Sequence, residues 1–142
     1  MKDAPWYHYP VAAIALLWFL LSAIDYTLTK LQFAPYLDAF SPDQIAYFTN
    51  MPLYVDIAWA LNVWIGFFAA GQLWRRSHSA ALFFAISFAG IIVTSVGLIF
   101  LTDPPLFQVT GKIGVWVMVA SIIATIVFYT YARAMNVRQR AS

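Results

Sequence analysis

Residues 80–101 read AALFFAISFAGIIVTSVGLIFL, twenty-two positions without one charged side chain. A helix rises about 1.5 Å per residue and bilayer hydrocarbon is about 30 Å thick, so about 20 apolar residues suffice to cross it. The run is continuous rather than alternating, which argues against a barrel strand, and lipid tolerates sheets only as closed barrels. The stretch reads as a spanning helix. Working outward, residues 53–74 and 10–28 before it and residues 113–135 after it qualify in the same way. The expected fold is all-α: an integral membrane four-helix bundle forming a single domain over residues 1–142.

Composition agrees. The chain is 63% hydrophobic and 10% charged, against roughly 45–50% apolar and about 25% charged in soluble domains, and its mean hydropathy is +0.75. This excludes a disordered chain, a nucleic-acid reader and an ordinary cytosolic enzyme. There is no cysteine, hence no disulfide, thiolate metal site or cysteine nucleophile. No phosphate-cradling glycine loop, serine-hydrolase elbow or zinc spacing occurs. His8 and His78 fall near helix ends without patterned partners. No catalytic residue, metal or cofactor is expected, and the chain reads as a non-enzyme.

Lys2 followed by apolar residues 11–21 and Leu21-Ser22-Ala23 has the outline of a cleaved signal peptide. The apolar run continues past Ala23 to Leu28, so this segment is expected to persist as the first span.

Charge orients the bundle. Lys2, Arg75, Arg76, Arg133, Arg138 and Arg140 collect at one end against Asp3 alone. The other end carries Lys30 and Lys112 against Asp25, Asp38, Asp43, Asp56 and Asp103. By the positive-inside rule both termini face the cytoplasm, in a bacterial inner membrane. The basic end then sits against anionic lipid.

Of the loops, Arg75-Arg76-Ser77-His78-Ser79 forces an antiparallel hairpin, and Pro104-Pro105 stops the third helix. In the long first loop, Ser41-Pro42-Asp43-Gln44 predicts a helix start: a serine cap, proline at the first position and glutamine completing a capping box. A two-turn helix carrying Ile45, Tyr47 and Phe48 should follow, ending near Asn50. Its aromatic content places it on the outer membrane interface. It serves there as a connector covering helix ends or as a lid over the bundle.

Two helix faces could carry chemistry. Trp18, Ser22, Asp25 and Thr29 share one side of the first span, while Asp56, Trp59, Asn62 and Gly66 fall within an arc of about 120° on the second. A carboxylate at mid-bilayer costs roughly 2.5–3.5 kcal/mol on insertion scales, so such groups face the bundle or water. Asp25, Asp56, Asn62, Trp18 and Trp59 are therefore the candidate ligand-binding residues. Carboxylates accept paired hydroxyl hydrogen bonds and aromatic faces stack on sugar rings. The competing structural roles are Asp56 at a positive helix N-terminus, Asp25 paired with Lys30 or capping backbone, and Asn62 bonding a neighbouring helix. Ser87, Gly90, Thr94 and Gly97, and on the fourth span Gly114, Met118, Ser121 and Thr125, read as packing seams.

Asp25-Tyr26, Tyr36-Leu37, Phe40-Ser41-Pro42-Asp43-Gln44, Tyr47-Phe48, Pro52, Trp59-Ala60, Val63-Trp64 with Gly66, Arg75-Arg76, Leu101-Thr102-Asp103 and Tyr131-Ala132-Arg133 follow in order. In this the chain resembles a family of small four-helix proteobacterial inner-membrane proteins catalogued as sugar transporters. The resemblance implies a transporter of a small polar solute, and it brings no site residues with it.

Four helices ordinarily pack around a filled core, and no span has a proline or paired glycines at its centre to break it as transporter helices are broken. A solute site is therefore expected between protomers of a homo-oligomer. The alternative is a non-catalytic accessory or assembly subunit of a larger membrane complex. The expected partners are the lipid bilayer and one of these assemblies, with a small-molecule ligand and no nucleic acid.

Overall fold

The computed structural model describes residues 5–141, and it is helical, with no strand among the described residues. α1 (His8–Lys30) leads through a single turn, α2 (Ala34–Leu37), to α3 (Pro42–Thr49). α4 (Leu53–Trp74) is composed of Leu53–Ala60, a π-helical turn Leu61–Ile65, and Gly66–Trp74. α5 (Ala80–Leu101) ends in a second π-helical turn, Gly97–Leu101, and α6 (Leu106–Ala141) completes the chain. Four of these, α1, α4, α5 and α6, are long and apolar enough to cross a membrane.

Local chemistry explains the ends. Pro10 lies in the first turn of α1, where its missing N–H is not needed. α3 has the expected capping box: the Gln44 N–H donates to Ser41 Oγ and the Ser41 N–H to Gln44 Oε1, each at 3.2 Å. α1 and α4 both close by turning one residue into the left-handed region, Gln32 (φ 53°) and Arg76 (φ 60°). The following N–H then reaches back five residues, Phe33 to Leu28 O at 3.0 Å and Ser77 to Gln72 O at 2.9 Å.

The fourth long helix departs from the expected residues 113–135. It restarts at Leu106, immediately after Pro105, which stops one helix and suits the start of the next. It then bends at Gly111 (φ 68°, ψ −157°), a backbone shape that favours glycine.

α1 packs on α4, α4 on α5, and α5 on α6. The α4–α5 seam is the closest. A Cβ on Gly90 would stand 2.7 Å from the Ala58 carbonyl oxygen and 2.9 Å from the Asn62 nitrogen, so only glycine lets these backbones touch. Ser87, Gly90, Thr94 and Gly97 are all buried along α5.

Against the expectation of unbroken spans, α4 carries its π-helical turn near mid-length, around Asn62. A π turn loosens the backbone ladder, and such turns favour functional positions. Here the Ser87 hydroxyl supports it, 2.7 Å from the Asn62 carbonyl oxygen and 3.0 Å from Asn62 Oδ1.

In the half nearest the basic residues the bundle is filled. Phe19, Phe84 and Phe128, from three helices, meet as a triangle with ring centroids 6.0–6.1 Å apart. Small residues, Ala12, Ala15, Ala69, Ala70 and Ala132, seat the helices around them. Gly66 gives room to Phe19, whose ring would lie 2.1 Å from an added Cβ. His8 is fully buried at this end, with Nε2 2.8 Å from the Leu73 carbonyl oxygen and Nδ1 3.0 Å from the Tyr131 hydroxyl. A carbonyl only accepts, so Nε2 carries a proton and donates to it.

Candidate functional site: a lidded cavity at the acidic end

The other half is not filled, which corrects the expectation of a solid core. A cavity of about 310 Å³ lies within this one chain, walled by all four long helices and roofed by the α2–α3 segment. The cause is side-chain size. On the faces that carry Phe19, Phe84 and Phe128 lower down, the cavity wall presents Ser22 on α1, Thr94 on α5 and Ser121 and Gly114 on α6. Gly114 cannot be enlarged, because the Thr110 side chain already lies over it, 1.8 Å from where a Cβ would stand.

Three of the five candidate residues line this cavity: Asp25, Trp59 and Asn62. Ser22, Asp25 and Thr29 face it together, as their common helical side requires. Trp18 does not reach it. One turn below, Trp18 packs against the filled core instead, and only its backbone carbonyl takes part, accepting from Ser22 Oγ at 2.9 Å.

Asp56 does not line the cavity either, and its surroundings are those of a structural acid. It stands in the first turn of α4. One oxygen takes the Tyr26 hydroxyl at 3.1 Å and the Lys30 ammonium at 3.2 Å. Lys30 also donates to the Phe48 carbonyl at 2.9 Å and lies 5.5 Å from the centre of the Trp59 ring. This lysine is the cation that would otherwise have served Asp25, so Asp25 has a different neighbour.

That neighbour is Tyr36, on α2, whose hydroxyl donates to Asp25 Oδ1. Burial, then the nearby carboxylate, push the Tyr36 phenol far above its usual range, so it remains a donor. Tyr36 escaped the sequence reading because a lone aromatic in a loop carries no periodic signal.

α3 proves to be a roof over the site, with Gln44, Ile45 and Phe48 facing the cavity. It is tied on several sides. Gln44 Nε2 donates to the Val109 carbonyl at 3.3 Å, and the Tyr47 hydroxyl lies 3.0 Å from Thr102 Oγ1 and 3.3 Å from the Leu98 carbonyl. Burial raises the Tyr47 phenol as well.

Much of the polar wall is already occupied. Ser22, Thr94, Thr110 and Ser121 hydroxyls each donate to a carbonyl one turn back in their own helix. What remains is small and specific. Asp25 Oδ2, Thr29 Oγ1 and Asn62 Nδ2 have no hydrogen-bond partner within the described chain, yet none is sealed from the cavity. Thr29 is 4% exposed and Asn62 5%. Chemically this is one carboxylate oxygen, one hydroxyl and one amide donor, between the rings of Trp59, Phe48 and Phe40.

Comparison of the chain with protein-family models, curated proteins and solved structures finds no match. The reading of the site rests on its own geometry.

Proposed function

We propose that this chain is a multi-pass protein of the bacterial inner membrane, with both termini cytoplasmic, that takes a small polar solute such as a sugar into its cavity for transport. The observation that carries this reading is the lidded cavity with unpartnered Asp25, Thr29 and Asn62 atoms on its wall. Ligand pockets begin at about 300 Å³, so a volume of about 310 Å³ suits one small ring rather than a chain of them.

The membrane placement is supported by exposed apolar side chains around the long helices, such as Leu17, Leu82, Phe100 and Ile123, and by the basic residues gathered at one end. The Phe19–Phe84–Phe128 triangle is the seal on the cytoplasmic side, and α2–α3 the covering on the periplasmic side. Because the cavity belongs to a single chain, solute binding does not call for a second protomer, and a homo-oligomer is proposed only as the packing of whole bundles. The catalogued transporter family it resembles is in keeping with this role, and no catalytic step is assigned.

The test is uptake of labelled hexoses into vesicles bearing the purified protein. Wild type should accumulate at least one of them, and Ser121→Phe, which fills the cavity from its wall, should not. Equal uptake by both forms, or none by either, would remove the transport reading. Co-purification with a larger membrane complex would then favour the accessory-subunit role. A reporter joined after residue 142 should be cytoplasmic and one within residues 35–43 periplasmic.

A further inference from the structure

The two carboxylates at the lid end differ in one respect that bears on the solute. Asp56 has a countercharge, since Lys30 stands 3.2 Å away. Asp25 has none. It is the one ionisable side chain on the cavity wall, and its single partner is the uncharged Tyr36 hydroxyl on Oδ1. Lys30, at the rim, is held by Asp56, the Phe48 carbonyl and the Trp59 ring. A carboxylate withdrawn from water without a cation is costly, and a cation that enters beside it recovers that cost.

We propose that the missing cation is supplied by the solute: the cavity selects a small molecule bearing an ammonium group, of the size and hydroxylation of an amino sugar. This rests on the cavity being a solute site, as proposed above. The ammonium would donate to Asp25 Oδ2, the atom left unpartnered. Phe48 and Phe40 also line the cavity, and aromatic rings attract cations to their faces. Asn62 Nδ2 and Thr29 Oγ1 remain for hydroxyl groups on the rest of the ring.

The neighbouring surface is consistent with it. A wider groove of about 710 Å³ on the other flank of α3 carries Asp43 and Asp103 and no cationic side chain. A surface of this charge concentrates cations and repels anions. A phosphorylated or carboxylated solute would meet only like charge here.

The experiment is calorimetric titration of the full chain in mild detergent at neutral pH with two pairs matched in shape: glucosamine against glucose, and cyclohexylamine against cyclohexanol. Glucose 6-phosphate is the anionic probe. At least one amine should bind about ten-fold tighter than its neutral partner, the scale of one charged hydrogen bond, and glucose 6-phosphate should not bind. Asp25→Asn, nearly the same shape, should reduce the amine to the affinity of its neutral partner measured on the same variant. Asp56→Asn should preserve the preference. Equal affinities within both pairs, or a preference that survives Asp25→Asn, would overturn the proposal. If glucose binds, is blocked by Ser121→Phe and shows no amine preference, only the amine is wrong. If no probe binds folded wild type, the solute site itself falls with it.

Discussion

The two halves of this bundle are built on the same helix faces and end in opposite states. Toward the basic end, Phe19, Phe84 and Phe128 fill the centre. From one to three turns away along their helices, Ser22, Thr94 and Ser121 line the wall instead and a cavity opens. α5 is held to α4 along the Ser87–Gly97 seam. Side-chain volume makes the difference: protein interiors normally pack to crystal density, and a wall of hydroxyls and glycine cannot reach across the gap. The filled half holds the bundle together, and the open half is free to bind.

The strongest way to break this contrast is at the seam both halves share. Gly90→Leu drives a side chain into the α4 backbone at Ala58 and Asn62. Backbone cannot swing aside, so the cost should exceed the usual 1–3 kcal/mol, roughly, of overpacking, and little folded protein should survive thermal unfolding in detergent. Gly71→Ala is the control, with nothing within 4 Å of its new Cβ, and should unfold as wild type.

Next in size, Phe84→Ala makes the filled half resemble the open one. Emptying a fully buried aromatic site costs about 3–5 kcal/mol, which a denaturation midpoint would register. The converse change, Ser121→Phe, makes the open half resemble the filled one. Its stability should stay within about 1 kcal/mol of wild type, because the ring enters existing space, while solute binding is lost. A large loss of stability instead would show that the cavity wall is under packing constraint like the core.

The smallest effects compare the turns that end α1 and α4. Gln32 and Arg76 hold left-handed backbone without glycine. Gln32→Gly and Arg76→Gly should each raise stability by about 0.5–1 kcal/mol, the relieved strain less the added freedom of the unfolded chain. Equal gains at both ends, read as midpoint shifts, would show that the turns are independent of the cavity. A smaller gain at Gln32 would show that the roof leans on it.

Much of this was legible from residue order alone. Long apolar runs at 53–74 and 80–101 specify their helices by length and hydropathy, and Ser41-Pro42-Asp43-Gln44 specifies a helix start by local hydrogen bonding; α4, α5 and α3 occupy those positions. Periodicity also put Ser22, Asp25 and Thr29 on one face, whereas Asp56 stood as a candidate ligand residue with a structural role at the helix N-terminus as the competing reading. These signals act within a few residues, which is why a linear reading captures them.

The tertiary structure decided what depends on partners distant in sequence. That Lys30 serves Asp56 and leaves Asp25 to Tyr36 follows from how the α2 turn folds back over α1, not from spacing. Trp18 fell to the filled core and Asn62 to the cavity wall, where the close approach at Gly90 sets the α4 backbone against α5. The cavity itself is a sum over four helices of volumes that no single stretch carries. Local order chooses the helices and their polar faces; whether those faces meet as a packed seam or as an enclosed space is settled only when the helices are brought together.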